Sequence, residues 1–331
     1  MPGRPNSNGM DSSFKFKFVL NGNAKGFLSS KGSVNSNGLT LGEELLPHSA
    51  VVDSTTRDNR LILVLNLQHP DIGSNIRSHL MDNAIVLEVY GGKEEALERA
   101  IDKFSSALSA NAHKAELEAA GEGHTFHSEV CPACESTVDL TGYDKTNFVY
   151  CRYCESLFGD GLESLKGAAQ YRTCDECGYH DRVQGYGEFY FYFLLIVYGF
   201  SHNRRHMCDA CGKSLANKLL AINAIFLLGV PNAIACMVRA RAGKDERMKG
   251  LAEGNHYSKK GQLDKAEEHY KKALKIFKDH PGVHYNRALG HLSSGSTKEG
   301  LDALVACLEA CPNYLPAQRL QLQIMRAVQE G

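Results

Sequence analysis

The chain has 331 residues, long enough for two or three domains. Hydrophobic residues make up 43% and charged residues 23%, an ordinary globular balance. A net charge of −1 excludes an overall electrostatic pull toward nucleic acid or an acidic membrane surface.

Residues 1–13 read as a disordered tail, and MPGRPNSNGMDSS lacks the apolar stretch of a secretory signal. A reducing, cytoplasmic setting is therefore expected. Residues 14–120 read as a β-rich domain closed by a helix. Phe14, Phe16 and Phe18 alternate with Lys15 and Lys17, the period of a half-buried strand. Further strands are predicted at 26–29, 38–41, 50–55, 61–66 and 84–90, with Asp58-Asn59 as a hairpin tip. Gly91-Gly92 breaks the pattern. Leu97, Ile101, Phe104 and Leu108 then fall on one helical stripe. Antiparallel strands closed by a C-terminal helix resemble a pleckstrin-homology-like barrel in architecture.

Eight of the eleven cysteines lie in four Cys-x-x-Cys pairs: Cys131/Cys134, Cys151/Cys154, Cys174/Cys177 and Cys208/Cys211. Such a turn points two thiolates at one ion, and two turns close a tetrahedral shell around zinc. Eight sulfurs make two saturated shells, which implies two structural zinc ions with no open coordination position. Sixteen residues separate Cys134 from Cys151, and the β-prone run Thr146–Tyr150 leads into the second pair. This segment, 128–160, resembles a zinc ribbon. A second ribbon is expected over 171–214, where thirty residues separate Cys177 from Cys208. A cross-braced pairing of first with third and second with fourth stays open. No Cys-x-His step is present, a departure from RING-type domains. His124, His127, His180, His202 and His206 lie near the pairs but are surplus to a saturated shell. Cys236, Cys307 and Cys311 read as small buried side chains.

Two apolar runs follow. Residues 189–200, FYFYFLLIVYGF, are too short for a helix that spans a bilayer, which needs ~20 residues. Their composition suits a strand of the second ribbon or an interfacial segment. Leu219–Val238 does meet that length, inside an apolar helical segment at 215–242. Gly229 and Pro231 interrupt it. Lys213 and Lys218 precede it and Arg239, Arg241 and Lys244 follow. That pattern predicts a re-entrant hairpin and membrane contact, with a buried helical hairpin as the alternative. The order of Cys-x-x-Cys, basic residues and a broken apolar helix over 174–242 also resembles a bacterial type of membrane-associated zinc-ribbon protein.

From about residue 247 to 330 the chain repeats. Gly254, Tyr257, Gly261, Ala266, Tyr270 and Ala273 recur about 34 residues later as Ala288, His291, Gly295, Gly300, Leu304 and Cys307. Pro312 closes the second copy, whereas Lys278 holds that place in the first. These positions resemble the tetratricopeptide (TPR) repeat. Leu320, Ile324 and Val328 mark a capping helix, and a helix around 239–250 is expected to complete the stack. The resemblance implies a protein or peptide partner held in a concave groove. Lys259, Lys260, Lys271, Lys272 and Lys275 suggest an acidic ligand there, but read more simply as a solvated face.

The fold class expected is therefore multi-domain α+β: an N-terminal antiparallel β-barrel with a C-terminal helix, two four-cysteine zinc ribbons, an apolar helical hairpin and an all-α TPR. No phosphate loop, nucleophile elbow or His-Glu-x-x-His is present, so no catalytic residue is expected. The function expected is a non-catalytic, membrane-associated adaptor. Two alternatives are a zinc-ribbon nucleic-acid binder, supported only by Arg204, Arg205 and His206 beside aromatic Tyr198 and Phe200, and a Cys-x-x-Cys oxidoreductase.

Overall fold

The computed structural model describes residues 12–57, 60–194, 197–223 and 230–330. The hairpin tip expected at Asp58-Asn59, most of the N-terminal tail and Gly229 lie outside them. The chain divides into two compact units, Met1–Thr141 and Gly142–Gly331.

The first unit is built on one antiparallel sheet. Its strands are β1 (Ser12–Leu20), β2 (Asn23–Ala24), β3 (Ser30–Asn35), β4 (Gly38–Leu41), β5 (Glu44–Pro47), β6 (Val51–Arg57), β7 (Arg60–Leu65) and β8 (Ala84–Tyr90). They run in the order β5-β4-β3-β1-β8-β7-β6, with β2 paired to β1. Among the described residues β5 and β6 do not pair, so hydrogen bonding does not close the sheet into a barrel. The Phe14, Phe16 and Phe18 side chains all enter the core, as period-two alternation requires. The strand expected at 26–29 is not formed. Positive φ at Gly26 turns the chain there, and Phe27 and Leu28 are exposed.

A short helix, α1 (Ser74–Ser78), precedes β8, and α2 (Glu94–Ala119) follows it. Leu97 and Ile101 of α2 are fully buried against the sheet, and Phe104 stacks on His48. Leu108 is 44% exposed, because the stripe drifts off the sheet one turn earlier than its spacing suggests. The unit ends in a small hairpin, β9 (Ser128–Val130) and β10 (Thr137–Asp139).

The second unit opens with two short hairpin strands, β11 (Val149–Tyr150) and β12 (Leu157–Phe158). A three-stranded sheet follows, β13 (Tyr171–Thr173), β14 (His180–Leu194) and β15 (Val197–Cys208). The β14–β15 pairing runs from Val183↔Cys208 to Leu194↔Val197, so the described parts of the aromatic run, 189–194 and 197–200, lie in paired strands. Two helices pack on its base: α3 (Asp209–Asn223) and α4 (Val230–Arg241).

The structure gives the membrane expectation no support. No helix among the described residues is long and apolar enough to cross a membrane. Each end of the Leu219–Val238 run is buried in part, although Ile234 and Val238 are exposed. Leu219, Ala233, Cys236 and Ala240 share a core with Val183, Tyr186, Met207, Leu215 and Ala216. Arg239, a residue expected to flank a membrane segment, donates instead to the Gly185 carbonyl.

Five helices complete the unit: α5 (Lys249–Ser258), α6 (Leu263–Ile276), α7 (Pro281–Ser293), α8 (Thr297–Ala310) and α9 (Leu315–Glu330). α5 pairs with α6 and α7 with α8, and α9 packs on α8. Small residues permit the close approach: a side chain at Gly254 would strike the Tyr270 ring, and one at Gly290 would strike Ser258. Gly261 and Gly295 take positive φ at the two intra-pair turns. Leu320 and Ile324 of α9 pack on the helical core, but Val328 is 76% exposed. The expected helix at 239–250 is not one element. α4 ends at Arg241 and α5 begins at Lys249, so α5 is the first helix of the stack.

Candidate metal centres and the repeat face beside them

Two groups of four cysteines could hold a metal ion. The sulfurs of Cys131, Cys134, Cys151 and Cys154 lie within 4.8 Å of one another, as do those of Cys174, Cys177, Cys208 and Cys211. The first pair thus joins the second, and the third joins the fourth; the sulfurs are not cross-braced. Among the described residues no histidine joins either group. Cys236, Cys307 and Cys311 are buried away from both.

Three of the four knuckles share one backbone turn. The Cys131 amide donates to the Ser136 carbonyl (2.9 Å), Cys151 to Ser156 (2.9 Å) and Cys174 to Tyr179 (2.9 Å). Each turn needs one left-handed residue, supplied by Glu135 (φ 63°), Glu155 (φ 60°) and Gly178 (φ 73°). The fourth knuckle differs. Cys208 ends β15 and Cys211 lies in the first turn of α3, so that helix points its positive end at the sulfurs. The second centre is therefore a knuckle, a long hairpin and a helix N-terminus, rather than the two-knuckle ribbon expected over 171–214.

The donor set of the second centre fits a soft divalent cation. The Cys208 amide donates to Cys174 Sγ (3.1 Å), and Lys259 Nζ reaches Cys208 Sγ at 3.6 Å. Both contacts offset thiolate charge. Hydrogen bonding to Cys174 holds the Cys177 thiol far below its ordinary value and drives Cys208 far above its own. Four such sulfurs cannot all be thiolates together without a cation between them.

Lys259 is a residue the sequence assigned to a groove or a solvated face. Lys260, Lys271, Lys272 and Lys275 are indeed exposed. Lys259 is exposed too, and its Nζ also spans the sulfur cluster and the Tyr179 ring, 5.1 Å from its centroid. Arg205, offered as a nucleic-acid contact, is paired with the Glu176 carboxylate.

The face of the helical array that carries Asn255 of α5, Asn286 of α7 and Asn313 in the turn before α9, its inner face here, meets chain from both cysteine-bearing segments. Asn286 reads the backbone of His180 from both sides. The His180 amide donates to Asn286 Oδ1 (2.7 Å), and Asn286 Nδ2 donates to the His180 carbonyl (2.7 Å). Asn255 Nδ2 donates to the same carbonyl (3.0 Å) and to Asp181 Oδ2 (3.0 Å). Asn255 Oδ1 accepts from Tyr270 Oη (2.9 Å) and from Asn286 Nδ2 (2.7 Å). Asn313 repeats the device on Tyr150: it accepts from the amide (3.0 Å) and donates to the carbonyl (2.8 Å).

The sequence reading missed Asn255, Asn286 and Asn313. The first two carried a signal: asparagine is a poor residue for a helix interior, so one at a helical core position marks a polar partner.

A family model described as TPR repeat matches residues 254–295, the stretch from α5 to the end of α7. No curated protein and no solved structure matches the chain. The match covers the residues where small side chains let the paired helices close, and a TPR repeat suggests protein–protein interaction.

Proposed function

We propose that this chain is a non-catalytic protein-interaction scaffold in which two zinc ions fix metal-bearing segments onto a TPR array. Zinc is the ion that four thiolates in a closed tetrahedral shell suit best, and a filled shell leaves no site for chemistry. Eight of eleven cysteines are spent on these two shells, which disfavours a Cys-x-x-Cys oxidoreductase. The observation that carries the interaction reading is the asparagine pair on His180: the array already grips an extended backbone, the form in which it would take a partner. The antiparallel order of the first unit, followed by α2, supports a pleckstrin-homology-like reading of that unit. Free thiolates and structural zinc favour a reducing, cytoplasmic location.

Metal analysis after gentle purification, run beside thiol titration of the native protein, tests this. Two zinc ions per chain and no rapidly reacting Cys-x-x-Cys thiol are expected. One ion or none, with reactive thiols, would favour the oxidoreductase. For the partner, a photo-crosslinker at exposed Ala252 or His256 of α5, beside Asp181 and Arg182, should trap a polypeptide that a crosslinker in the first unit does not.

A further inference from the structure

One turn of α5 touches everything that defines the second metal centre's seat. Asn255 holds the His180 carbonyl, the Ser258 hydroxyl meets the Tyr179 hydroxyl (3.0 Å), and Lys259 reaches Cys208 Sγ. Tyr179 and His180 leave directly from the Cys174–Cys177 knuckle, whose left-handed Gly178 sets their path.

The seat is polar. The second centre keeps its own apolar core with α3 and α4, and that core includes no residue of α5 to α9. The TPR core likewise includes neither Tyr179 nor His180. A cavity of about 710 Å³ adjoins the junction, lined by charged groups among them Asp181, Arg182, Asp209, Lys213 and Lys244. Backbone hydrogen bonds from Asn255 and Asn286 hold His180, and side-chain bonds add selectivity: the Tyr179 hydroxyl meets Ser258, His180 Nδ1 meets Tyr314 Oη (3.1 Å) and Asp181 accepts from Asn255. A site of that kind takes an extended peptide that resembles this segment.

We propose that the inner TPR face is a peptide-backbone site whose resident ligand is the chain's own Tyr179–Arg182 segment, latched there by metal at Cys174, Cys177, Cys208 and Cys211, and that an extended peptide takes its place when that metal is lost. The latch rests on the metal assignment above. The clasp rests on the asparagine geometry alone. Metal fixes the knuckle and so pre-orders the segment at high effective concentration, which excludes a competitor. Without metal the four sulfurs lose their cross-link and the segment becomes one flexible competitor among others.

The probe is a labelled synthetic peptide of residues 178–184, GYHDRVQ, added to the full chain and read by fluorescence anisotropy. The zinc-loaded chain should not bind it. A Cys174→Ser/Cys208→Ser chain should bind it at least about tenfold more tightly, and Asn286→Ala in that background should abolish binding. Equal binding by the zinc-loaded chain would overturn the proposal. So would a Cys174→Ser/Cys208→Ser chain that keeps its helical circular dichroism but ignores the peptide. Collapse of the helices in that variant would also overturn it, since the segment would then be core rather than ligand.

A second variant leaves every cysteine in place. A Cβ on Gly282 would stand 2.3 Å from His180 Cδ2, so Gly282→Val should evict the segment sterically. Hydrogen exchange at 179–182 should then rise at least about tenfold while metal content stays unchanged. Unchanged protection would overturn the clasp. Absence of metal from the wild-type second centre would overturn the latch.

Discussion

The two cysteine-bearing segments meet the same helical array in different ways. Around Tyr150 the junction is apolar: Phe148, Tyr150, Leu157, Leu162 and Leu165 belong to one core with Leu251, Tyr270, Val283, Leu304 and Tyr314. Around His180 it is polar, with Asn255, Asn286, Ser258 and Lys259 meeting backbone, hydroxyl and sulfur. Both carry an asparagine on the backbone, so the clasp alone does not distinguish them. Apolar area buried in a shared core is not recovered on separation, and it makes the first segment part of the array. Hydrogen bonds exchange readily for bonds to water or to another strand, which leaves the second segment replaceable.

Variants that separate the segments sharpen this contrast. Cys151→Ser should have the largest effect, because structural metal binding is folding energy and the affected strand leads into the TPR core. Metal content should fall by one ion, and the helical unfolding temperature should drop. Cys174→Ser should also remove one ion but leave that temperature nearly unchanged. Equal drops would erase the distinction. Tyr150→Ala comes next, at about 3–5 kcal/mol in denaturant unfolding, the cost of emptying a buried aromatic site. A loss below about 1 kcal/mol would show that the junction is not core.

Acid should weaken the place where the two junctions meet. His280 lies 6.0 Å from the Phe148 ring and 5.5 Å from that of His180. Burial pushes His280 and His284 down to about 4. Between about 4 and about 6.5 the unfolded chain therefore binds more protons than the folded one. Stability is full above that window and is lost as pH falls through it, by about 2 kcal/mol at pH 5 for His280 alone. His280→Phe should flatten that slope in urea titrations at pH 7 and pH 5; a slope that persists undiminished would exclude His280 as its source. Lys259→Gln should be the mildest change. It removes a cation beside the thiolates and should weaken metal at the second centre roughly tenfold in competition with a chromophoric chelator. A similar loss at the first centre would mean the effect is not local.

Much of this was legible in the residues themselves. Alternation placed Phe14, Phe16 and Phe18 in a core, and knuckle spacing brought eight cysteines into two groups. Small residues at Gly254, Ala266 and Ala288 marked the helix pairs. All three signals depend on local geometry with a fixed period or spacing. Tertiary consequences were not legible. The run Leu219–Val238 has the length of a membrane segment, and nothing local in it says that Leu219, Ala233 and Cys236 share a core with Val183, Tyr186 and Met207. Asn255, Asn286 and Asn313 have no periodic partner in sequence, because what they bind lies between about 75 and 163 residues away. The sequence also suggested an open groove. Nothing local in it says that the chain's own strand fills that face.

The central claim is that the helical array holds one segment as core and the other as ligand. Hydrogen-exchange mass spectrometry during stepwise chelation tests it most directly. The account predicts that 179–182 loses protection first, while 148–158 and helices α5 to α9 stay protected. Simultaneous loss of protection in both segments and all five helices would contradict it.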